Sequence, residues 1–480
     1  MRPLLFLFCS VLILELLGNN TLPLIDRDEP RFAEASREMR QSGDFIIPRV
    51  NGTYRFDKPP LIYWCQVASS TIFGESDFSV RLPSALFAAA TAVLTAAWAT
   101  RLYGSSVGFW SGLIFGTCLQ LFIHGRAAVA DMPMIFFFVA TTWTAWERIQ
   151  GNRSRVLWCC FYLSLAGGFL AKGPVAFLPA IALFPFHLWM RTPMHLHIRS
   201  LVGGILLVLA VVGAWGIPAL LVTQGQFFQI GIGKHVVMRS VVPLQSHGAS
   251  GLAGYFLLLP FYFVTLFFSL FPWSLFLPAT IQRLRIGLDP FERYALCGIG
   301  VAFLVFTLYQ TKLPHYTLPA FPLLAILVGR TIHDRRTARL VAVAAVALYL
   351  FIATLGFQWI APLFPSKTVF ERLAAQLSPS THTASIGYDE QSLIWYFRYR
   401  VQPFHQQLDS AELNRFMNQS GPAVCVVTSD RPIATDPSWT SFSVAGYNFA
   451  RWKIRATTIL GQKIEFLLPD RIKLIAYVKK

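Results

Sequence analysis

Residues 2–18 read RPLLFLFCSVLILELLG, and residues 24–64 read LIDRDEPRFAEASREMRQSGDFIIPRVNGTYRFDKPPLIYW. The first run is almost wholly apolar and close to the ~20 residues that cross a bilayer core. The residues after it, GNNTLPLIDRDE, offer no A-x-A-like cleavage site, so we read an uncleaved first span at roughly 3–19. A long polar stretch follows, about 20–78. Beyond it, apolar segments recur at about 79–100, 105–123, 128–147, 156–171, 173–190, 200–222, 250–279, 293–310, 314–330 and 338–359. This pattern predicts a polytopic α-helical membrane protein with about 11 spans, 11–13 being compatible with the soft boundaries.

Composition agrees. Of 480 residues, 54% are hydrophobic and 14% charged, against about 25% charged in a soluble domain. That excludes a disordered chain, a collagen-like chain and a small disulfide scaffold. The seven cysteines form no CxxC pair and read as small hydrophobes. The net charge of +17 would suggest nucleic acid in a soluble protein. Here much of the excess follows topology. With a cytoplasmic N-terminus the short inner loops hold 14 Lys/Arg and the short outer loops 5, as cytoplasmic loops do. No nucleic-acid partner is expected; membrane lipids are. This orientation puts loop 20–78, loop 223–249 and the C-terminus outside.

The chain divides at about residue 360. In 361–480, 19% of residues are charged, against 12% in 1–360. The tail alternates helical and strand-like pieces, among them KTVFERLAAQL, TASIGY and PAVCVVTS, and reads as a soluble α/β domain on the outer face.

The first outer loop holds the most concentrated chemistry. Phe32, Ala35, Ser36 and Met39 share one helical face, which suits a helix lying on the membrane surface. Glu34 and Glu38 would then pair with Arg31 and Arg37 on a wet face. Asp28 suits an N-cap, and Asp57 suits the cap of a second helix near Pro59-Pro60. Lys58 at that helix start is unfavourable unless an anion binds there, since helix-start amides plus Lys make a phosphate site. The adjacent Asp28 and Glu29 suit a general base or a cation site; a surface turn uses such pairs too. Asp131 at the edge of an apolar segment is costly unless hydrated, paired or functional, and helix capping is the rival reading. Lys172 either snorkels at a tight turn or meets a phosphate. Lys234, His235 and Arg239 suit a lipid phosphate or an ordinary basic rim. Lys312, His315 and Tyr316 crowd one outer corner.

The motifs DRDEPRFAEASREMRQSGDFIIPRVNG-x-x-RFDKPPLIYW and FG-x-x-x-F-x-VRLPSAL resemble polytopic glycosyltransferases that use polyprenyl-phosphate-linked sugars. They are similar to the lipid A aminoarabinose transferases, of GT-C type, within the protein mannosyltransferase-like superfamily. It covers about 1–360, and ADMP, AKGP and TKLPHYTLPAF fall in the same relative order. The resemblance implies a transmembrane catalytic domain over 1–360 and a periplasmic domain over 361–480. It implies catalytic roles for Asp28, Glu29 and Asp131. It implies donor or lipid-phosphate binding by Lys58, Arg239 and Tyr316 and an active-site place for Arg31, while Lys172, Lys234 and Lys312 join the candidate donor-phosphate contacts by their outer-face positions. Aminoarabinose enzymes carry Glu-Lys-Pro where this chain has Asp57-Lys58-Pro59, and that Glu is linked to a metal. Asp57, with His315 as a further candidate, would hold Zn, Mg or Mn here.

The expected reaction is inverting transfer from an undecaprenyl-phosphate sugar at the outer face of the bacterial inner membrane, with lipid A among the acceptors. The rival readings are mannosyl or other glycosyl transfer to protein or glycan, a lipid-linked saccharide flippase, and a non-catalytic envelope scaffold. A monomer is expected.

Overall fold

The computed structural model describes residues 2–192, 197–238, 256–433, 437–459 and 462–479, without the side chains of 232, 234–238, 452, 454–459 and 462–467. Helix α1 (Arg2–Leu16) packs against α4 (Asp77–Tyr103) and α5 (Ser105–Gly116). Glycine makes this approach possible: a Cβ on Gly112 would meet Leu7 Cδ2 at 2.5 Å. After α5 the chain breaks at Thr117-Cys118 and resumes as α6 (Leu119–His124).

Helices α7 (Asp131–Ile149) and α8 (Arg155–Lys172) form a hairpin, so Lys172 returns to the end where Asp131 starts. Gly173, at φ +75°, then turns the chain. Helix α9 (Leu178–Met190) runs back, and its Phe186 meets Trp146 near the far end of α7. The continuous stretch Arg155–Met190 is therefore two passes. Helix α10 (Ile198–Val222) stands at the rim with Leu206, Leu209 and Leu221 exposed, as a lipid-facing helix would.

The apolar segments recur as helices in the predicted order, but not all as long spans. Among the described residues, five helical stretches are long and apolar enough to cross a bilayer, or six counting one bent pair. The expected span 250–279 is that pair: Phe261–Ser269 and Trp273–Ile286 meet at 111°. Pro272 at the break supplies no N–H to continue the ladder. Residues 250–255 of that segment lie outside the described residues.

The first loop forms α2 (Glu29–Ser42), a short hairpin of β1 (Arg49–Val50) and β2 (Thr53–Tyr54), and α3 (Leu61–Phe73). Asn51 and Gly52, both at positive φ, make its turn. Helix α2 is not a surface helix, contrary to its amphipathic pattern. Residues 32–39 are all buried, because the C-terminal region covers the polar face. Glu34 is fully buried between Arg37 (2.5 Å) and Arg398 (3.4 Å) rather than on a wet face. Burial pushes it up to about 6 against the pull of Arg37. Glu38 accepts from the backbone of Asn51 (2.5 Å) and Gly52 (3.1 Å).

From Pro365 the chain builds a five-stranded sheet of order β4-β3-β5-β7-β6. Strands β3 (His382–Ile386), β4 (Gln406–Gln407) and β5 (Ala423–Thr428) are parallel; β6 (Trp439–Ile459) and β7 (Gln462–Lys479) close an antiparallel hairpin. Two apolar clusters of its own, around Leu393 and Val424 and around Phe416 and Cys425, fill this region. Its helix Gln391–Phe397 sits on α2. Trp395 Nε1 and the Tyr396 hydroxyl donate to Asp77 at 2.9 and 3.0 Å, and Asn51 and His405 exchange two bonds. These polar contacts join the sheet region to the loop that carries Asp28.

Candidate active site

A cavity of about 820 Å³ opens where the first loop meets α6, the start of α7, the end of α8 and the Pro314 corner. Two polar groups line it, and between them run apolar walls that include Phe169, Trp215 and Phe306.

The first group belongs to the helical body. Asp131, first residue of α7, is 2.5 Å from Lys172 Nζ and 4.0 Å from His315 Nε2. His315 packs on His124 with ring centroids 4.5 Å apart and the rings tilted by 37°, and His124 Nδ1 meets Gln120 at 2.9 Å. Lys172 also faces the Tyr316 ring at 5.7 Å. Lys58 lies within charge range of His315, so the first loop delivers its lysine here.

The second group belongs to the first loop. Asp28 lines the cavity and is exposed to it. It does not cap α2: its backbone is helical and its side chain makes no cap bond, which leaves the carboxylate available. Asp57 does not cap α3 either, since that helix starts at Leu61 after Pro60; Asp57 pairs with Arg55 at 3.4 Å. Arg31 stands within charge range of Asp28, Asp57 and Arg55 but does not line the cavity.

Glu29 differs from its neighbour in kind. Arg81 grips both its oxygens at 2.8 Å, and the backbone N–H groups of Ile25 and Ala128 donate at 2.9 and 2.7 Å. Burial works to raise its carboxyl, but the Arg81 charge outweighs that and holds it below the usual range. All four bonds hold the Glu29 carboxylate in place at the cavity, beside the exposed Asp28. Lys312 does not line the cavity. Its ammonium donates to the carbonyls of Phe306 (3.2 Å) and Thr307, closing the C-terminal end of Pro290–Leu308 off the cavity wall. Burial brings that ammonium down to about 8. Arg239 and the side chains of Lys234 and His235 lie outside the described residues.

Asp57 and His315 do not fit a metal centre. Among the described residues no three His, Cys, Asp or Glu side chains are placed to share a cation. Arg55 sits on Asp57, and the Lys172 ammonium occupies the Asp131 carboxylate that His315 approaches.

Sequence reasoning gave no role to Arg55, Arg81, His124 or Asp26. A signal existed for Arg81: an arginine at the head of an apolar helix needs a carboxylate. Asp26 accepts from the Ser392 N–H (2.8 Å) and hydroxyl, tying the cavity wall to the sheet region. Burial, then the Glu390 carboxylate, push it up to about 7.

A family model described as dolichyl-phosphate-mannose-protein mannosyltransferase matches residues 57–216. An uncharacterised protein of Aquifex aeolicus (strain VF5) is 30% identical over 315 residues, covering 65% of this chain and 69% of its own length. An undecaprenyl phosphate-α-4-amino-4-deoxy-L-arabinose arabinosyl transferase of Sodalis glossinidius is 30% identical over 340 residues, covering 69% of this chain and 60% of its own length. The match thus spans under two thirds of that transferase. In three dimensions the chain is similar to ArnT of Cupriavidus metallidurans, solved with undecaprenyl phosphate: TM-score 0.74, 18% identity, 98% and 97% of the two chains. An Archaeoglobus fulgidus oligosaccharyltransferase shares the fold more loosely, with TM-score 0.51 and 11% identity over 88% and 69% of the two chains.

Proposed function

We propose that this chain is a GT-C-type glycosyltransferase of the protein mannosyltransferase-like superfamily, and that it transfers a sugar from undecaprenyl phosphate to an acceptor at the outer face of the bacterial inner membrane. The observation that carries the reading is that Asp28, Lys58 and the Asp131–Lys172 pair line one cavity with apolar walls. The N-terminus is cytoplasmic and the sheet region periplasmic in this reading, which the basic inner loops support.

The reaction is displacement at the anomeric carbon. The bond from that carbon to the phosphate oxygen breaks, and a bond to the acceptor oxygen forms on the opposite face, with inversion. The departing phosphate gains charge. Lys58, with Lys172 and Tyr316 beside it, meets that charge in a partly dry site where a cation counts for more than in water. Arg239, on the strength of the resemblance, and Lys234, on its place in the same outer loop, are further phosphate contacts. A hydroxyl acceptor gives its proton to Asp28, whose carboxylate is open to the cavity. A phosphate acceptor such as that of lipid A needs no base, and Asp28 then orients it. Aminoarabinose is the sugar that the named relatives suggest. A divalent cation remains an expectation of the resemblance, and no step here passes through one.

The test is transfer by purified protein from undecaprenyl-phosphate-linked sugars, aminoarabinose first, to lipid A and to hydroxyl acceptors, with mass spectrometry of the products. A product heavier than the acceptor by one sugar residue supports the reading. No product from any donor, by protein that binds undecaprenyl phosphate, would falsify it.

A further inference from the structure

One side chain that lines the cavity has no part in the chemistry above. His315 stands in the Pro314 corner with 18% of its side chain exposed, open to the cavity. Its ring is held on two sides. His124 packs on it with centroids 4.5 Å apart, and Tyr316 meets it edge-on at 5.2 Å and 88°. His124 is itself fixed, since Gln120 meets its Nδ1 at 2.9 Å and the Ser269 hydroxyl donates to Gln120 at 2.8 Å. The polar end of His315 is not held in the same way. Nε2 stops 4.0 Å from Asp131, beyond hydrogen-bond reach, and Lys172 already takes that carboxylate at 2.5 Å. Among the described residues neither ring nitrogen has a hydrogen-bond partner.

The neighbours limit what this ring is for. Two ammoniums, Lys58 and Lys172, stand within charge range of it. They already serve a phosphate, so a further cation adds little. A neutral imidazole adds what an ammonium lacks: one N–H donor together with one bare nitrogen that accepts. A hydroxyl also donates and accepts, so the two match. In a lipid-linked donor the sugar is bonded directly to the phosphate. A phosphate placed at the lysines therefore brings the hydroxyls of its own sugar to the corner where His315 stands. A carbon ring in that place would leave such a hydroxyl unpaired, and a polar group taken from water without a partner is costly.

We propose that His315 is a sugar-binding residue of the donor site, whose imidazole takes a hydroxyl of the lipid-linked sugar beside the phosphate-binding lysines. The inference rests on the transferase reading and adds to it a residue that reads the sugar rather than the phosphate.

The experiment uses the full chain in detergent and measures the affinity of three lipids: undecaprenyl phosphate, and undecaprenyl phosphate bearing aminoarabinose or mannose. His315→Leu should weaken the tighter of the two sugar-bearing lipids about tenfold and leave undecaprenyl phosphate within about twofold of wild type. His315→Asn, which keeps a donor and an acceptor on a shorter arm, should recover part of that loss. Thermal melting checks that both variants are folded. Equal loss for the bare and the sugar-bearing lipid moves the contact to the phosphate and overturns the inference. Unchanged affinity for all three lipids in folded His315→Leu overturns it too. Either result leaves the transferase reading standing. Wild-type protein that binds neither sugar-bearing lipid overturns that reading and the inference with it. If His315→Leu does not fold, His315→Ala is judged by the same criteria.

Discussion

Two sets of ion pairs stand at opposite ends of the helical body. One is Asp131 with Lys172, beside His315. The other joins Arg283 to Glu292 and Arg330 to Asp289 and Glu292, with the Tyr103 hydroxyl donating to Asp289 at 2.8 Å. Helix α7, 19 residues or roughly 28 Å long, separates them: it starts at Asp131, and Trp146 near its end packs on Phe291 beside Asp289. Residue types and distances are alike. Access differs. The first set borders about 820 Å³ of cavity; the second lies outside that cavity, with Glu292 fully buried and the Arg330 guanidinium 3.9 Å over the Tyr103 ring. An ion pair alone therefore says little about function. Space for a third party is what separates a site from a clasp. A charged path through the membrane, which a flippase would use, would have to join the two sets.

The comparison can be broken most decisively at the open end. Asp28→Asn should cut transfer to a hydroxyl acceptor by roughly 10³-fold, within the range of general-base loss. The measurement is initial rate with saturating donor. A phosphate acceptor should lose less, and near wild-type rates with a hydroxyl acceptor would remove the base role. At the closed end, Glu292→Gln should cost about 2 kcal/mol of stability, the worth of hydrogen bonds to a charged group. Its transfer rate per folded molecule should match wild type; a rate defect in fully folded protein would mean that the two ends are coupled.

Asp26 sharpens the boundary between site and support. Its folded pKa of about 7 lies above the ordinary 3.8. The folded state therefore holds this proton more tightly, and stability falls as pH rises from about 4 through 7. Asp26→Asn should flatten that part of the thermal-midpoint profile. A variant with wild-type slope would show that another group sets it. Smallest of all is Lys312→Met. Removing a cation from the end of Pro290–Leu308 should cost less than about 1 kcal/mol and leave transfer unchanged. A tenfold rise in the KM for donor would return Lys312 to the phosphate site.

Chemically unbalanced positions were the most legible in the sequence. Lys58 at a Pro-Pro junction, Asp131 at an apolar edge and Asp28 after the first span each stood out against their surroundings, and all three line the cavity. Glu29 was indistinguishable from Asp28 by pattern. Only the return of α4, which brings Arg81 to it, shows its oxygens to be spoken for. Lys312 and Lys172 look alike in sequence, each a lysine before a turn with proline. One ends on its own helix carbonyls and the other on Asp131. His124 and His315 are 191 positions apart in the chain, and nothing local predicts their contact.

Order along the chain, apolar content and the direction of basic bias were properties of the sequence alone, because each depends on residues counted locally against water and lipid. Burial of the α2 polar face, the break at Pro272 and the division of carboxylates into open and fully bonded were decided by tertiary contact. A charge acquires its role from the partner that distant chain brings to it, and a helix periodicity cannot name that partner.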